Sequence, residues 1–175
     1  MKLRDFGLAE LKKIEPFITP MQLRMLRSMM GGDDAQGIIE QIQRLTRQLR
    51  KAPLTRGQEG TEDPIVHVHY FYAGCDWWIT ELDVGHPEDE PGDFQSQMFG
   101  FVCLGDPLCA ELGYISLPEL KSGGHPIEID LHWEPTPLSV IRKRLDARSE
   151  PEPEPAPEPE PERSGRRFRI PANFF

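Results

Sequence analysis

The most constraining feature of the sequence is a strict alternation of apolar and polar residues between Ile127 and Trp133. The segment is IEIDLHW, so every second residue is apolar and the residues between them are acidic or histidine. A two-residue period is that of a half-buried β-strand, with apolar side chains facing a core. The pattern predicts a strand across the whole segment, with Glu128, Asp130 and His132 projecting from one face of a sheet.

Further strands and helices are predicted on both sides of this segment. Segments rich in β-branched and aromatic residues predict four earlier strands. These are residues 65–72, 77–84, 98–104 and 112–117. Apolar residues at helical spacing predict N-terminal helices, one starting at Thr19-Pro20, and a closing helix over residues 138–148. We therefore expect an α+β fold, a small antiparallel β-meander with the helices on one face.

The composition divides the chain into four segments. Residues 1–52 are predicted to be helical and residues 61–148 to form the α+β core domain, joined by a polar linker. Residues 149–162 contain a Glu-Pro repeat, which is expected to be disordered and extended because it cannot bury a core. Residues 163–175 combine arginine with aromatic residues and are predicted to act as a tethered peptide motif.

The charge of the chain is unevenly distributed. The net charge is -9, and residues 61–136 contain 15 acidic residues and one lysine. Residues 1–60 contain 11 basic and 7 acidic residues, so an acidic centre follows a basic start. Such a centre favours a basic partner and argues against a nucleic-acid footprint, which is normally basic.

Carboxylates and a histidine on two predicted strands form the first candidate site. They are Glu81, Asp83, Glu128, Asp130 and His132. If the faces of the strands coincide, like charges would oppose one another and repel. Three outcomes are open: solvent screens spread-out groups, a basic partner covers them, or a divalent metal such as magnesium, manganese or zinc binds them. Of these three outcomes, only metal binding would support an enzyme, in which the metal would assist hydrolysis of a phosphodiester.

A second candidate site is basic. Arginines on one face of the third predicted helix, and arginines and phenylalanines of the C-terminal segment, are typical of a surface that contacts phosphate or acidic groups. They are Arg44, Arg47 and Arg50 on the helix, and Arg166, Arg167, Phe168, Arg169, Phe174 and Phe175 in the tail. The simpler interpretation of the helix is a solvated basic face.

Several protein classes lack their sequence signals here. The chain contains no G-x-S-x-G, P-loop or G-x-G-x-x-G motif, so no catalytic residue and no cofactor beyond the optional metal is predicted. The three cysteines have no C-x-x-C spacing and indicate free thiols in a reducing cytoplasm. No signal peptide or membrane-spanning run is expected.

Several motifs occur in a fixed order between Pro64 and Ser139. They are the tryptophan pair 77–78, TELD at 80–83, ELGYISL at 111–117, the following Glu119-Leu120, and IEIDLH at 127–132. In these motifs the chain resembles an uncharacterised domain-of-unknown-function family of plasmid, conjugative-element and phage accessory proteins. That family usually has arginine where Ile129 stands. The resemblance implies an accessory protein of mobile DNA and implies no reaction.

Together these observations predict a non-enzymatic acidic binding module of a mobile genetic element. The partner of this module would be a basic protein, encoded by the host or by the element. The most specific form of the prediction is a DNA mimic that antagonises host defence. The alternatives are a metal-dependent phosphodiester hydrolase and a protein that binds nucleic acid through its basic helix and tail.

Overall fold

The computed structural model describes residues 2–83 and 97–149 and confirms the α+β class. The helices are α1 (Leu3–Ile14), α2 (Pro20–Met29), α3 (Ala35–Lys51), α4 (Leu117–Ser122) and α5 (Leu138–Ser149). The strands are β1 (Ile65–Val66), β2 (Val68–Tyr72), β3 (Cys75–Asp83), β4 (Gln97–Leu104), β5 (Glu111–Ser116), β6 (Glu128–Ile129) and β7 (Thr136–Pro137).

Five strands form one antiparallel sheet in the order β5-β4-β3-β2-β6. Strands β2 to β5 follow one another as the predicted meander, but β6 crosses over and pairs with β2 at the opposite edge. The predicted strand over residues 65–72 is interrupted at His67, so that its first two residues form β1. Strand β1 pairs with β7 in a separate two-stranded sheet.

The sheet carries helices on both faces, so the prediction of helices on one face is wrong. Side chains such as Val68, Tyr70 and Ile79 pack in one core with α1, α2 and α3. On the opposite face, Trp78 and Phe101 pack against Trp133 and the apolar side of α5. The β1–β7 pair directs the chain across this second face, since β7 runs straight into α5. We call the two surfaces the three-helix face and the α5 face.

The segment that was predicted to be a strand from Ile127 to Trp133 is a strand at two residues only. Ile127 and Ile129 are buried on the three-helix face as expected, but Leu131 is only half-buried, and Trp133 is buried on the opposite α5 face. The strand ends at Asp130, whose carboxylate accepts a hydrogen bond from the backbone N–H of His132 at 2.8 Å. An aspartate that bonds the backbone two residues ahead favours a turn over a continued ladder.

Some predicted features lie outside the described residues. They are the acidic stretch 85–92, the Glu-Pro repeat from residue 150 onwards, and the C-terminal segment with Arg166, Arg167, Phe168, Arg169, Phe174 and Phe175. Within residues 2–83 and 97–149, no helix combines the length and the apolar character needed to cross a membrane.

Candidate functional site

The predicted cluster of acidic residues and a histidine does not form. Glu81 is buried and turned into the protein, where its carboxylate accepts the backbone N–H groups of Arg56 at 2.5 Å and Gln58 at 2.8 Å. Glu128 is in register with Phe71, and Phe71 with Asp76, which places it five residues along β3 from Glu81. At about 3.3 Å per residue, the offset along the strand direction alone is roughly 17 Å, and the two residues also lie two strands apart.

The remaining members of that cluster are also separate. Asp83 is at the end of β3, where its backbone pairs with Gln97. His132 is exposed in the turn after β6. Within the described part of the chain, no group of three or more His, Cys, Asp or Glu side chains is arranged to hold a metal ion. The prediction of one shared acidic face was wrong because the strand stops at Asp130 and because the loop before β1 encloses Glu81.

Asp130 belongs instead to a cluster centred on His69. The Nε2 atom of His69 is 2.8 Å from Asp76, and its Nδ1 atom is 3.4 Å from Asp130. The imidazole ring lies against Trp78, with ring centroids 5.6 Å apart, and against Trp133 at 4.9 Å. The cluster therefore ties together β2, β3 and the turn after β6.

The protonation of this cluster follows from its surroundings. Burial on its own would lower the pKa of His69, but hydrogen bonds to Asp130 and Asp76 outweigh it and raise that pKa above 6.5. The hydrogen bond from His69 holds the pKa of Asp130 below 3.8. Both ring nitrogens are engaged with carboxylates, so neither is free to act as a base, and the two hydrogen bonds favour the protonated ring.

The predicted basic face of α3 is partly used inside the molecule. Arg44 contacts Glu134 and donates to the carbonyl oxygen of Leu131 at 2.7 Å, so it braces the turn that follows β6. Arg47 and Arg50 are both exposed, whereas Arg44 is partly buried in these contacts. The three arginines therefore do not form one free basic surface.

A cleft of about 1030 Å³ opens between the sheet, the start of α5 and the segment before β1. Its floor is the part of the α5 face that α5 leaves uncovered, formed by Phe99, Leu112 and Tyr114. Phe99 and Tyr114 contact each other edge to face at 5.1 Å, and the Tyr114 side chain is 57% exposed. A cleft with an apolar floor and a few polar groups is the usual form of a binding site. We call it the sheet cleft.

One wall of the sheet cleft is the segment between α3 and β1, which had been predicted to be a linker. Two side chains hold it in place: Glu81, through the contacts above, and Gln58. The amide of Gln58 donates to the carbonyl oxygens of Thr80 and Ile65 and accepts from the N–H of Ile65. Glu81 therefore shapes the cleft wall and does not present its carboxylate to a ligand.

The other wall is the start of α5. Asp63 caps this helix, since its carboxylate accepts the backbone N–H of Ser139 at 2.8 Å and the hydroxyl of Ser139 at 2.7 Å. These bonds hold the pKa of Asp63 below its usual range. Arg142, one turn further, lies over the ring of Phe101 at 5.2 Å. In total, four carboxylates and two arginines line the cleft.

The residues of the cleft floor were missed by the sequence analysis. The available signal was that β5 has apolar residues at Leu112 and Tyr114 as well as at Ile115, so both of its faces carry apolar side chains. A strand inside a core shows this pattern, and at a sheet edge it indicates an apolar face that lacks a cover.

Comparisons with family models, with curated proteins and with solved structures find no match for this chain. The resemblance carried by ELGYISL and IEIDLH therefore stays a prediction.

Proposed function

We propose that the chain is a non-enzymatic binding module that holds a basic, partly apolar polypeptide segment in the sheet cleft. The observation that carries the proposal is the uncovered floor. Phe99, Leu112 and Tyr114 share a sheet face with Trp78 and Phe101, but only the latter two belong to the buried core that contains α5, whereas the former three line the cleft. Exposed aromatic residues with a polar rim are typical of protein-binding surfaces.

The charge around the cleft supports a basic ligand. Apart from the enclosed Glu81, the cleft is lined by three exposed carboxylate residues, Glu59, Glu62 and Asp63, and by two arginines. Complementary charge speeds association and selects the partner more than it adds affinity. The apolar floor would then supply most of the binding free energy, through aromatic or aliphatic side chains of the ligand.

We do not propose a DNA mimic or a metal-dependent hydrolase. A DNA mimic needs a presented array of carboxylates, whereas Asp76 and Asp130 are paired with His69, and Glu134 with Arg44. The five residues expected to bind a metal lie apart. Binding of nucleic acid through α3 is not proposed either, because Arg44 is committed to contacts within the chain.

We also propose the cellular setting that the sequence predicts. Three free cysteines support a reducing compartment such as the cytoplasm. The ordered motifs between Pro64 and Ser139 support a mobile genetic element, with the basic partner encoded by the element or by its host.

A peptide titration tests the proposal. The probe is a fluorescent peptide RSGRRFRIPANFF, the basic-aromatic sequence of residues 163–175. The protein is the full chain with Arg166, Arg167 and Arg169 changed to Glu, so that its own copy of this sequence does not compete. We expect saturable binding by fluorescence anisotropy, and a loss of about tenfold or more in affinity for Tyr114→Ala, as for a central aromatic contact.

The matched control is Met21→Ala on α2, since Met21 is 52% exposed and Tyr114 is 57% exposed. It should bind the peptide as tightly as the parent chain, and a peptide with glutamate in place of each arginine should bind far more weakly. Absence of saturable binding, or equal affinities for the Tyr114→Ala and Met21→Ala proteins, would contradict the proposal.

A further inference from the structure

The two edges of the five-stranded sheet end differently. At β6, the side chain of Gln22 donates to the carbonyl oxygen of Ile129 at 2.8 Å and accepts from its N–H at 3.0 Å. Next to it, the Thr19 hydroxyl donates to the carbonyl oxygen of Ile127. Helix α2 therefore closes this edge. At the other edge, β5 pairs with β4 and with no further strand of the described residues.

Strand β5 lacks the features by which natural proteins protect an edge. Such features are prolines, lysines, bulges and very short strands. The six residues Glu111–Ser116 include neither proline nor lysine. Their register with β4 runs without interruption from Gln97–Ser116 to Val102–Glu111, whereas the β3–β4 pair is irregular between Ile79 and Glu81. Among the described residues, the outer edge of β5 thus has no partner, and its regular register with β4 leaves a row of backbone groups to which another strand can pair.

Exposed apolar side chains concentrate at this edge. Leu112 is 41% exposed and Tyr114 is 57% exposed. Leu104, at the end of β4, and Leu108, in the turn that follows it, are also exposed. Apolar residues gathered in one place on a surface mark a site of association.

We propose that two copies of the chain associate through β5, antiparallel and edge to edge, with a two-fold axis at Gly113. In this register Leu112 of each copy lies opposite Tyr114 of the other, twice over, on the α5 face. Directly opposed side chains have Cβ atoms about 4.5–5.5 Å apart and make the contacts that stabilise a sheet. Glu111 lies opposite Ile115, so that no two carboxylates oppose each other. One strand sequence thus supplies both sides of the interface, as two-fold symmetry requires.

Gly113 lies at the centre of this arrangement and leaves room for a side chain. A Cβ atom there would meet nothing within 4 Å, whereas a Cβ at its β4 neighbour Gly100 would collide with the carbonyl of Trp78. The fold of the described residues therefore requires glycine at position 100 and not at 113. Because directly opposed residues of paired strands have room for their Cβ atoms, a cysteine can replace Gly113 without a clash.

The inference goes beyond the proposed function, because it completes the sheet cleft with residues of a second copy. The floor formed by Phe99, Leu112 and Tyr114 would continue across the axis into Tyr114 and Leu112 of the other copy. Two clefts would then lie side by side on one continuous sheet, and a ligand with two basic segments would gain affinity from binding both.

Sedimentation velocity of the full chain tests the association over roughly 1 to 100 µM, where mass action shifts a dimer. We expect a species of twice the 20.0 kDa chain mass that dissociates on dilution. Tyr114→Lys and Leu112→Lys should each raise the dissociation constant about tenfold or more. Met21→Lys, at a residue of similar exposure on α2, should leave it unchanged. A chain that stays monomeric throughout, or a Tyr114→Lys protein that dimerises like the parent, would overturn the inference.

Disulfide trapping tests the register. In a Cys109→Ser background, which removes the exposed native thiol, Gly113→Cys places a thiol opposite its own copy. We expect mild oxidation to link most of this protein as a dimer, and to link little of a Ser116→Cys control, whose thiols would lie on opposite sides of the axis. Equal trapping of the two proteins would overturn the register. Circular dichroism checks that each variant is folded. The peptide titration is a separate measurement of the cleft, so a loss of association can be told apart from a loss of peptide binding.

Discussion

The five-stranded sheet has one side whose edge and α5 face are covered by other described residues, and one side where both are exposed. On the closed side, formed by β2 and β6, α2 occupies the outer backbone groups, and the His69 cluster and Trp133 fill the α5 face. On the open side, formed by β4 and β5, Leu112 and Tyr114 are exposed and the outer edge has no partner strand within residues 2–83 and 97–149.

The difference shows where function can be sought. Buried polar groups need partners, and on the closed side His69, Gln22 and Thr19 find theirs within the chain. Polar residues there, including Asp130, serve stability although the sequence pattern had indicated a ligand site. The open side has apolar area that the described residues leave uncovered, and a ligand or a second copy can gain free energy by covering it.

The largest expected effect is a difference in stability between alanine substitutions on the two edge strands, β6 and β5. Ile129→Ala on β6 removes a side chain that is 1% exposed, whereas Leu112→Ala on β5 removes one that is 41% exposed. We expect Ile129→Ala to lower the free energy of unfolding by about 3 kcal/mol, and Leu112→Ala by about 0.5 kcal/mol or less. Urea denaturation measures both, and similar losses would erase the distinction between the sides.

The next effect concerns the closed edge itself. Gln22→Ala leaves the N–H and carbonyl of Ile129 without their hydrogen-bond partners in a buried place, which should cost about 2 kcal/mol. The control is Gln36→Ala, at an exposed glutamine of α3 that contacts Glu40. Amide exchange of Ile129 should also become faster. If Gln22→Ala were as mild as Gln36→Ala, the edge at β6 would not depend on α2.

The smallest effect is a pH dependence. The raised pKa of His69 means that its contribution to stability is present below pH 6.5 and is lost as the pH rises through the folded-state value. The lowered pKa of Asp130 means that its contribution is present above pH 3.8 and is lost as the pH falls through its own folded-state value. The cluster therefore stabilises most between these two pH values.

The comparison of parent and His69→Gln isolates this effect, because other titrating groups such as His67 cancel in the difference. We expect the difference in unfolding free energy to be greatest between about pH 4 and 6.5 and to shrink at alkaline pH. His132→Gln, at the exposed histidine, is the control. A difference that stays constant from pH 5 to 9 would show that His69 is not held as a cation.

The sequence predicted the local elements better than their assembly. Thr19 caps α2 as expected, accepting the N–H of Gln22, and the apolar residues Ile127 and Ile129 are buried as predicted. Each follows from contacts within a few residues. The predicted strand at β6 was too long, because the Asp130 side chain accepts a hydrogen bond from the nearby backbone and favours a turn. The predicted acidic cluster was wrong because its geometry depends on packing between distant parts of the chain. That packing sets the path of the loop around Glu81 and takes β6 to the far edge of the sheet.

The most direct test of the central claim is an amide map of peptide binding. Two-dimensional ¹⁵N–¹H spectra of the full chain carrying the Arg166, Arg167 and Arg169 to Glu changes are recorded during titration with the peptide RSGRRFRIPANFF. The account predicts shifts in Glu111–Ser116 and in residues 56–64, which border the sheet cleft. Shifts confined to Glu128–His132 or to the Arg44–Arg50 stretch of α3 would contradict it.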